Sequence, residues 1–325
     1  MEKDIYYGNE LQIRGVEQYK LLGGKEEGLR MINIKNGLGL DVTLCPDRCL
    51  DITKVIYKGD NLGYFSPCGN VSPTYYDAND AEMVRSFTGG FLTTCGFDNV
   101  GVACEVVNTK YPLHGRISNQ PANYYYYEET DTSYEVHATI TQAALFLDKL
   151  ELKRKIIISK EENTIKLEDK IQNKGEYDTA CMVLYHMNMG YPLLSEDAIL
   201  SINSISKKGR DDLATKLMDS ANEIKKPMPN TQEVCYFHEF DKSDISVASI
   251  YNNKIKKGVE ISFDSNKLPY FTQWNMFGKY DYVLGLEPGN CLPQGRQYAK
   301  ENNMLKALKE KESVVYNIEI KIKGE

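Results

Sequence analysis

Few residues in this 325-residue chain are suited to proton transfer: four His, and a Glu set at the end of an apolar run. Imidazole titrates nearest to neutral pH, so each His can be weighed in turn. His186 stands in Cys181-Met182-Val183-Leu184-Tyr185-His186-Met187-Asn188, a run apolar enough for a buried strand. On a strand, His186 and Asn188 share one face. A buried imidazole needs hydrogen-bond partners, and burial lowers its pKa. Two readings stand: a satisfied core His, or a site at the strand's end. His114 falls in Tyr111-Pro112-Leu113-His114-Gly115-Arg116, ahead of Ser118-Asn119-Gln120-Pro121. That is a loop rich in hydrogen-bonding groups, where a His either braces the loop or serves a site. Glu287 ends Tyr282-Val283-Leu284-Gly285-Leu286 and precedes Pro288-Gly289, which biases it to extended geometry before a turn. It is a surface turn residue, or a carboxylate held for acid–base work. Gln273-Trp274-Asn275 places the only Trp between two amides, as a sugar-binding face or as core. His137 reads as a surface residue on the polar side of a strand, and nothing beside His238 suggests a task.

The elements that must position these groups are strands. Leu38, Leu40, Val42 and Leu44 alternate with polar or small residues, as do Tyr134, Val136, Ala138 and Ile140. Val259, Ile261 and Phe263 repeat the pattern, and so do Tyr316, Ile318, Ile320 and Ile322. Turn clusters such as Lys58-Gly59-Asp60-Asn61 and Asn173-Lys174-Gly175 separate them. This predicts a large all-β antiparallel sandwich, with residues 1–325 forming one domain. Helical pattern is confined to Asp211–Met218 and Glu301–Lys311, both read as decorations in loops. The run Tyr124-Tyr125-Tyr126-Tyr127 reads as a strand with one face in the core and one at the surface.

Composition narrows the function. Lys plus Arg number 39 and Asp plus Glu 46, so 39 − 46 = −7, against nucleic acid or an anionic membrane as partner. A mean hydropathy of −0.46 and the absence of any long apolar stretch or signal-like leader predict a soluble, cytoplasmic protein. Eight Cys without a Cys-x-x-Cys pair read as reduced, small buried hydrophobes rather than metal ligands. No P-loop, Rossmann fingerprint, Gly-x-Ser-x-Gly elbow or His-Glu-x-x-His is present, and Gly89-Gly90 lacks a following Lys-Ser/Thr. No cofactor or metal is expected, and the partner is a small molecule.

Taken in order, the segments resemble the galactose mutarotase-like, or aldose 1-epimerase-like, superfamily. The resemblance is to a poorly characterised branch, carried by Pro46-Asp47-Arg48-Cys49-Leu50-Asp51-Ile52 and Leu286-Glu287-Pro288-Gly289-Asn290. Between these lie Gly90-Phe91-Leu92-Thr93-Thr94-Cys95-Gly96-Phe97-Asp98-Asn99-Val100-Gly101, Leu113-His114-Gly115-Arg116, Tyr185-His186-Met187-Asn188 and Gln273-Trp274-Asn275. The resemblance implies a β-sandwich with a sugar cleft on one sheet, Glu287 as general base and His186 as general acid. His114 would orient the ring and polarise its oxygen. Arg48, Arg85 and Arg116 are the candidates for an Arg that binds sugar hydroxyls. Asp264 stands where the family has a further sugar-binding Asp, and Asp98, Asn188, Gln273 and Trp274 complete the expected substrate contacts. The Gln273-Trp274 segment belongs to the branch, so galactose itself is not implied.

The reading that follows is interconversion of the α and β anomers of a free sugar by a monomer or homodimer. A sugar-binding protein without chemistry is one alternative. A glycoside-cleaving relative is another, and needs a second carboxylate such as Asp264 or Asp98. By type, His114, His186 and Glu287 also form a two-His, one-carboxylate metal set, although the resemblance supplies no metal.

Overall fold

Alternating apolar residues bury one face of a strand, and strands dominate the structure. The computed structural model describes residues 3–243 and 245–324. Its largest sheet is antiparallel, in the spatial order Tyr124–Glu129, Ser133–Ala143, Lys149–Ser159, Thr164–Asn173, Ser313–Gly324, Lys257–Phe263, Ser246–Asn252 and Ala198–Ile202. A second runs Ser206–Gly209, Val234–Glu239, Tyr270–Phe277, Tyr282–Gly289, Met182–Met189 and Leu92–Phe97. A third runs from Gly15–Lys20 through Arg30–Lys35, Leu40–Cys45 and Asp51–Tyr57 to Asp60–Asn61.

One apolar cluster joins all three sheets. Ile156, Ile165 and Ile320 come from the eight-stranded sheet, and Ile34, Val42 and Ile52 from the five-stranded one. Tyr185, Met187, Leu286 and Phe271 come from the six-stranded sheet. Side chains alternate faces along a strand, so the neighbours His186, Glu287 and Thr272 lie on the opposite face of that sheet. The same residues that anchor the sheet thereby set its outer face free for chemistry.

Beneath it, Arg154 ties the sheets together. Its fully buried guanidinium bonds Asp169 at 2.9 and 2.7 Å, Asp51 at 2.8 Å and Thr94 Oγ1 at 2.9 Å. Tyr185 donates to Asp169 at 2.8 Å, and the amide and hydroxyl of Thr94 donate to Asp51 at 2.9 and 2.6 Å. Thr94 pairs with Tyr185 across the sheet, next to His186. The Asp51 of the early motif is thus a partner for Arg154. Asp47 of that motif binds the Arg30 side chain at 2.8 Å.

Several local expectations need correction. The strand after the first turn begins at Leu40, leaving Leu38 exposed beside it. The Tyr run forms an edge strand on which Tyr124, Tyr126 and Tyr127 are exposed and only Tyr125 packs on the core. A helix spans Gly295–Glu301, not Glu301–Lys311: Asn303 takes a φ of 56°, and Leu308 enters a short strand paired with Thr179. The helix expected near Asp211 is Asp212–Lys216, with the Asp211 carboxylate accepting from the Ala214 amide at 2.9 Å. All eight Cys are free thiols.

Candidate functional site

Three adjacent strands assemble the centre of the site. The pairs Leu184↔Gly289 and Met187↔Leu286 place His186 across from Glu287, and Thr272 pairs with Glu287 on the other side. His186 Nε2 lies 3.2 Å from Glu287 Oε1, at side chains 7% and 2% exposed. The contact lacks hydrogen-bond geometry and leaves Glu287 Oε1 without a partner; His186 Nδ1 and Thr272 Oγ1 are also buried without one. Buried polar atoms without a partner are costly, and these three belong to residues that line one cavity. The Glu287 carboxyl folds back over Gly285, where a Cβ would overlap Oε1 and stand 3.1 Å from Trp274 Cβ. Only a glycine two residues before Glu287 leaves that room.

His114 reaches the same place from a loop. It adopts a φ of 57°, and its backbone bonds Gly101 and Gly96 at 2.9 and 2.8 Å. Gly115, at φ 72°, packs so closely on the end of the Leu92–Phe97 strand that a Cβ would stand 2.6 Å from Asn99 O. The Gly101 amide donates to His114 Nδ1 at 3.3 Å, which assigns the proton of the neutral ring to Nε2. The His114 and His186 rings meet edge to face at 5.5 Å, and Trp274 meets His186 at 5.3 Å.

These groups line a cavity of about 300 Å³ whose walls include Met83, Val84, Phe87, Leu113 and Pro293. Burial in this apolar surround pushes His186 down to about 3, with His114 adding to the effect. Burial also pushes His114 down to about 4. It raises Glu287 well above the usual carboxylate range, and the nearby Glu233 charge adds to that. These surroundings therefore favour neutral imidazole and neutral carboxylic acid. Expected instead from the motifs was a carboxylate beside an imidazolium; the two descriptions contain the same proton, placed on different atoms.

Of the residues expected from sequence, His114, His186, Trp274 and Glu287 converge on the cavity and the others do not line it. Gln273 is the neighbour of Trp274, so alternation sends it to the inner face. There it is fully buried, bonded to His238 at 3.0 Å and to the Ala221 carbonyl at 2.6 Å. Asn188 is buried and donates to the His186 and Gly89 carbonyls at 3.0 and 3.4 Å. Arg48 is buried and spends its donors on the Ser118, Val71 and Ser86 carbonyls, bracing the loops that wall the cavity. Arg85 is exposed and pairs with Glu82 at 2.7 Å. Arg116 pairs with Asp98, which also accepts from the Arg116 amide at 3.1 Å. Asp264 is exposed in a turn, accepting from the Asn266 amide at 2.9 Å.

Of the lining side chains that carry a polar group or thiol, Thr272, Arg210, Glu233 and Cys235 were not anticipated. Glu233 accepts from Arg210 at 2.7 Å and from the Trp274 indole at 2.8 Å, which fixes the plane of the only Trp. Thr272 had a signal, since it sits two residues before Trp274 on one strand face. Arg210 and Glu233 had none, being loop residues brought in by Cys235, whose strand pairs with that of Trp274. Among the described residues, His114, His186 and Glu287 do not gather their donor atoms around one point as metal ligands would. The group that does is Glu128, Glu135 and His137, on the opposite sheet.

The comparisons agree with this architecture. No curated protein matches the chain. The fold is that of a candidate aldose 1-epimerase from Klebsiella pneumoniae, with a TM-score of 0.91 and 23% identity over 98% of this chain and 87% of that one. A galactose mutarotase-like protein from Clostridium acetobutylicum gives 0.70 at 13% identity, covering 97% of this chain and 100% of that one. Galactose 1-epimerase from Lactobacillus acidophilus gives 0.64 at 14%, covering 96% and 99%. At these identities the likeness establishes the galactose mutarotase-like β-sandwich fold. No helix among the described residues is long and apolar enough to cross a membrane. The family model described as Domain of unknown function (DUF4432) matches residues 26–322, and to that family this chain belongs.

Proposed function

We propose that this protein is a mutarotase-type isomerase that interconverts the α and β anomers of a free sugar. One observation carries the reading: an imidazole and a carboxyl 3.2 Å apart, with orphaned polar atoms, on the floor of a cavity walled by Trp274. An aromatic face beside unpaired polar atoms suits a pyranose, whose C–H face stacks while its hydroxyls need partners. The names aldose 1-epimerase and galactose 1-epimerase borne by proteins sharing the fold point the same way.

Anomer exchange needs two proton transfers in each direction. Hydroxyls of the bound sugar donate to the Glu287 carboxyl, which favours its ionised form and leaves the proton on His186. Glu287 then takes the proton of the anomeric hydroxyl while His186 gives one to the ring oxygen. The C1–O5 bond breaks as the C1 carbonyl forms. The pair is now carboxylic acid and neutral imidazole, the state that burial favours. Rotation about C1–C2 presents the other carbonyl face. Closure returns both protons and regenerates the charged pair. His114 Nε2–H is available to hydrogen-bond an oxygen of the sugar.

The test is anomer exchange by NMR magnetisation transfer over a panel of free hexoses, deoxyhexoses and pentoses, with wild type and Glu287→Gln. Accelerated exchange for a panel sugar is expected, and its turnover should fall by about 10²–10⁴ in the variant. Unchanged turnover in Glu287→Gln would remove Glu287 from the chemistry. Sugar binding without exchange would make the protein a sugar binder.

A further inference from the structure

The cleft does not end at Trp274. A second cavity, of about 890 Å³, adjoins the first: Arg210 lines both, and Pro293 of the first lies between Leu292 and Gln294 of the second. The strand register shows that both lie along one sheet face. Glu287 pairs with Thr272, Thr272 with Phe237, and Phe237 with Lys208, so the four side chains follow one row across the sheet. Three strand spacings make this row roughly 14 Å long. That is longer than one pyranose ring.

The far end of the row has the chemistry of a second sugar site. Phe237, Tyr270 and Tyr298 are partly exposed aromatics lining it, and Gln294, Ser206 and Lys208 supply polar groups. A phosphate or sulfate would need convergent, unpaired cations. Here Lys208 and Lys242 are balanced by Glu239 and Asp241 among the described lining residues. The shared Arg210 is already committed to Asp211 at 3.1 Å and Glu233 at 2.7 Å. Aromatic faces with balanced charge favour a neutral ring.

We infer that the substrate class is a neutral reducing oligosaccharide, at least a disaccharide, whose reducing-end ring lies at Glu287 and whose next ring lies over Phe237. The placement of the reducing end rests on the anomer-exchange reading; the second ring site rests on the second cavity alone.

The experiment compares glucose and galactose with maltose, cellobiose and lactose. Anomer exchange is measured by magnetisation transfer, and the approach of the protein to each ring by saturation-transfer NMR. Wild type is set beside Phe237→Ala and, from the Gly295–Glu301 helix lining the same cavity, Tyr298→Ala, with thermal unfolding to confirm that both variants fold. At least one disaccharide should show a kcat/KM about tenfold above its monosaccharide, and both variants should lose about that factor for the disaccharide alone. Saturation should reach the non-reducing ring. Equal rates for monosaccharide and disaccharide, unmoved by either variant, would overturn the two-ring cleft and leave anomer exchange standing. If no sugar exchanges, the anomer reading fails and saturation transfer decides the rest. Saturation of a disaccharide by wild type that disappears with Phe237→Ala would then support the second site, and no saturation of any disaccharide would overturn it.

Discussion

Gly285→Ala tests whether the position of the Glu287 carboxyl, and not merely its presence, sets the rate. The substitution adds one methyl on the site face of the Tyr282–Gly289 strand. That methyl would overlap Glu287 Oε1 and lie 3.2 Å from its Cδ and 3.1 Å from Trp274 Cβ. Regaining ordinary carbon–oxygen separation requires the carboxyl to swing by about 1 Å. The obstructing atom is the end of a flexible side chain beside a cavity, so the fold can yield there. The cost in stability is expected to stay within about 1–2 kcal/mol, at the lower end for overpacking. Proton transfer is less forgiving, since a misplacement of about 1 Å can cost about 10² in rate. Magnetisation transfer on a substrate sugar gives the rate, and urea unfolding gives the stability. A folded Gly285→Ala protein whose kcat stays within about threefold of wild type would refute the reasoning, because a displaced Glu287 would then be as good as a placed one.

The pH dependence of stability follows from the same site. His186 is pushed down to about 3 in the fold, so its contribution is complete above about pH 6.5 and is lost as the unfolded chain takes up the proton at lower pH. Between pH 7 and pH 5 that loss is about 2 kcal/mol, and urea unfolding of His186→Asn should show a slope shallower by about this amount. Glu287 works in the opposite sense: its raised folded pKa favours stability below the usual carboxylate range and loses it as pH rises. Glu287→Gln should therefore gain stability relative to wild type at alkaline pH, even as it loses activity; no gain in a pH series of melting curves would contradict the burial argument. Arg154→Met would leave Asp51 and Asp169 buried without their cation, and should destabilise the fold by about 3–5 kcal/mol in urea. A loss below about 1 kcal/mol would show that the network is dispensable.

Much of the fold is legible in local pattern. Tyr134, Val136, Ala138 and Ile140 are buried along one strand, as are Val259, Ile261 and Phe263, and Tyr316, Ile318, Ile320 and Ile322 along two others. Period-two alternation is a local property, and burying one face of each strand forces a layered β structure. The misplaced helix was a failure of the same reasoning. Leu305 and Leu308 have helical spacing, but the Asn302-Asn303 pair ends the helix before them. The early motif was informative in a different way: Asp47, Arg48 and Asp51 each hold structure, through Arg30, three loop carbonyls and Arg154.

By itself, then, the sequence determined the strands, the sandwich and the residue types able to move protons, because alternation and side-chain chemistry are written along the chain. The tertiary structure decided which of those residues meet. Register set His186 against Glu287 and Thr272, and parity turned Trp274 toward the cavity and Gln273 away from it. Arg210 lines the cavity where Arg48, Arg85 and Arg116 do not, because a loop is laid beside Cys235, a contact with no local signature. The proton's place was decided there too. Burial favours the neutral forms of His186 and Glu287, and burial is a property of the folded surroundings rather than of either residue.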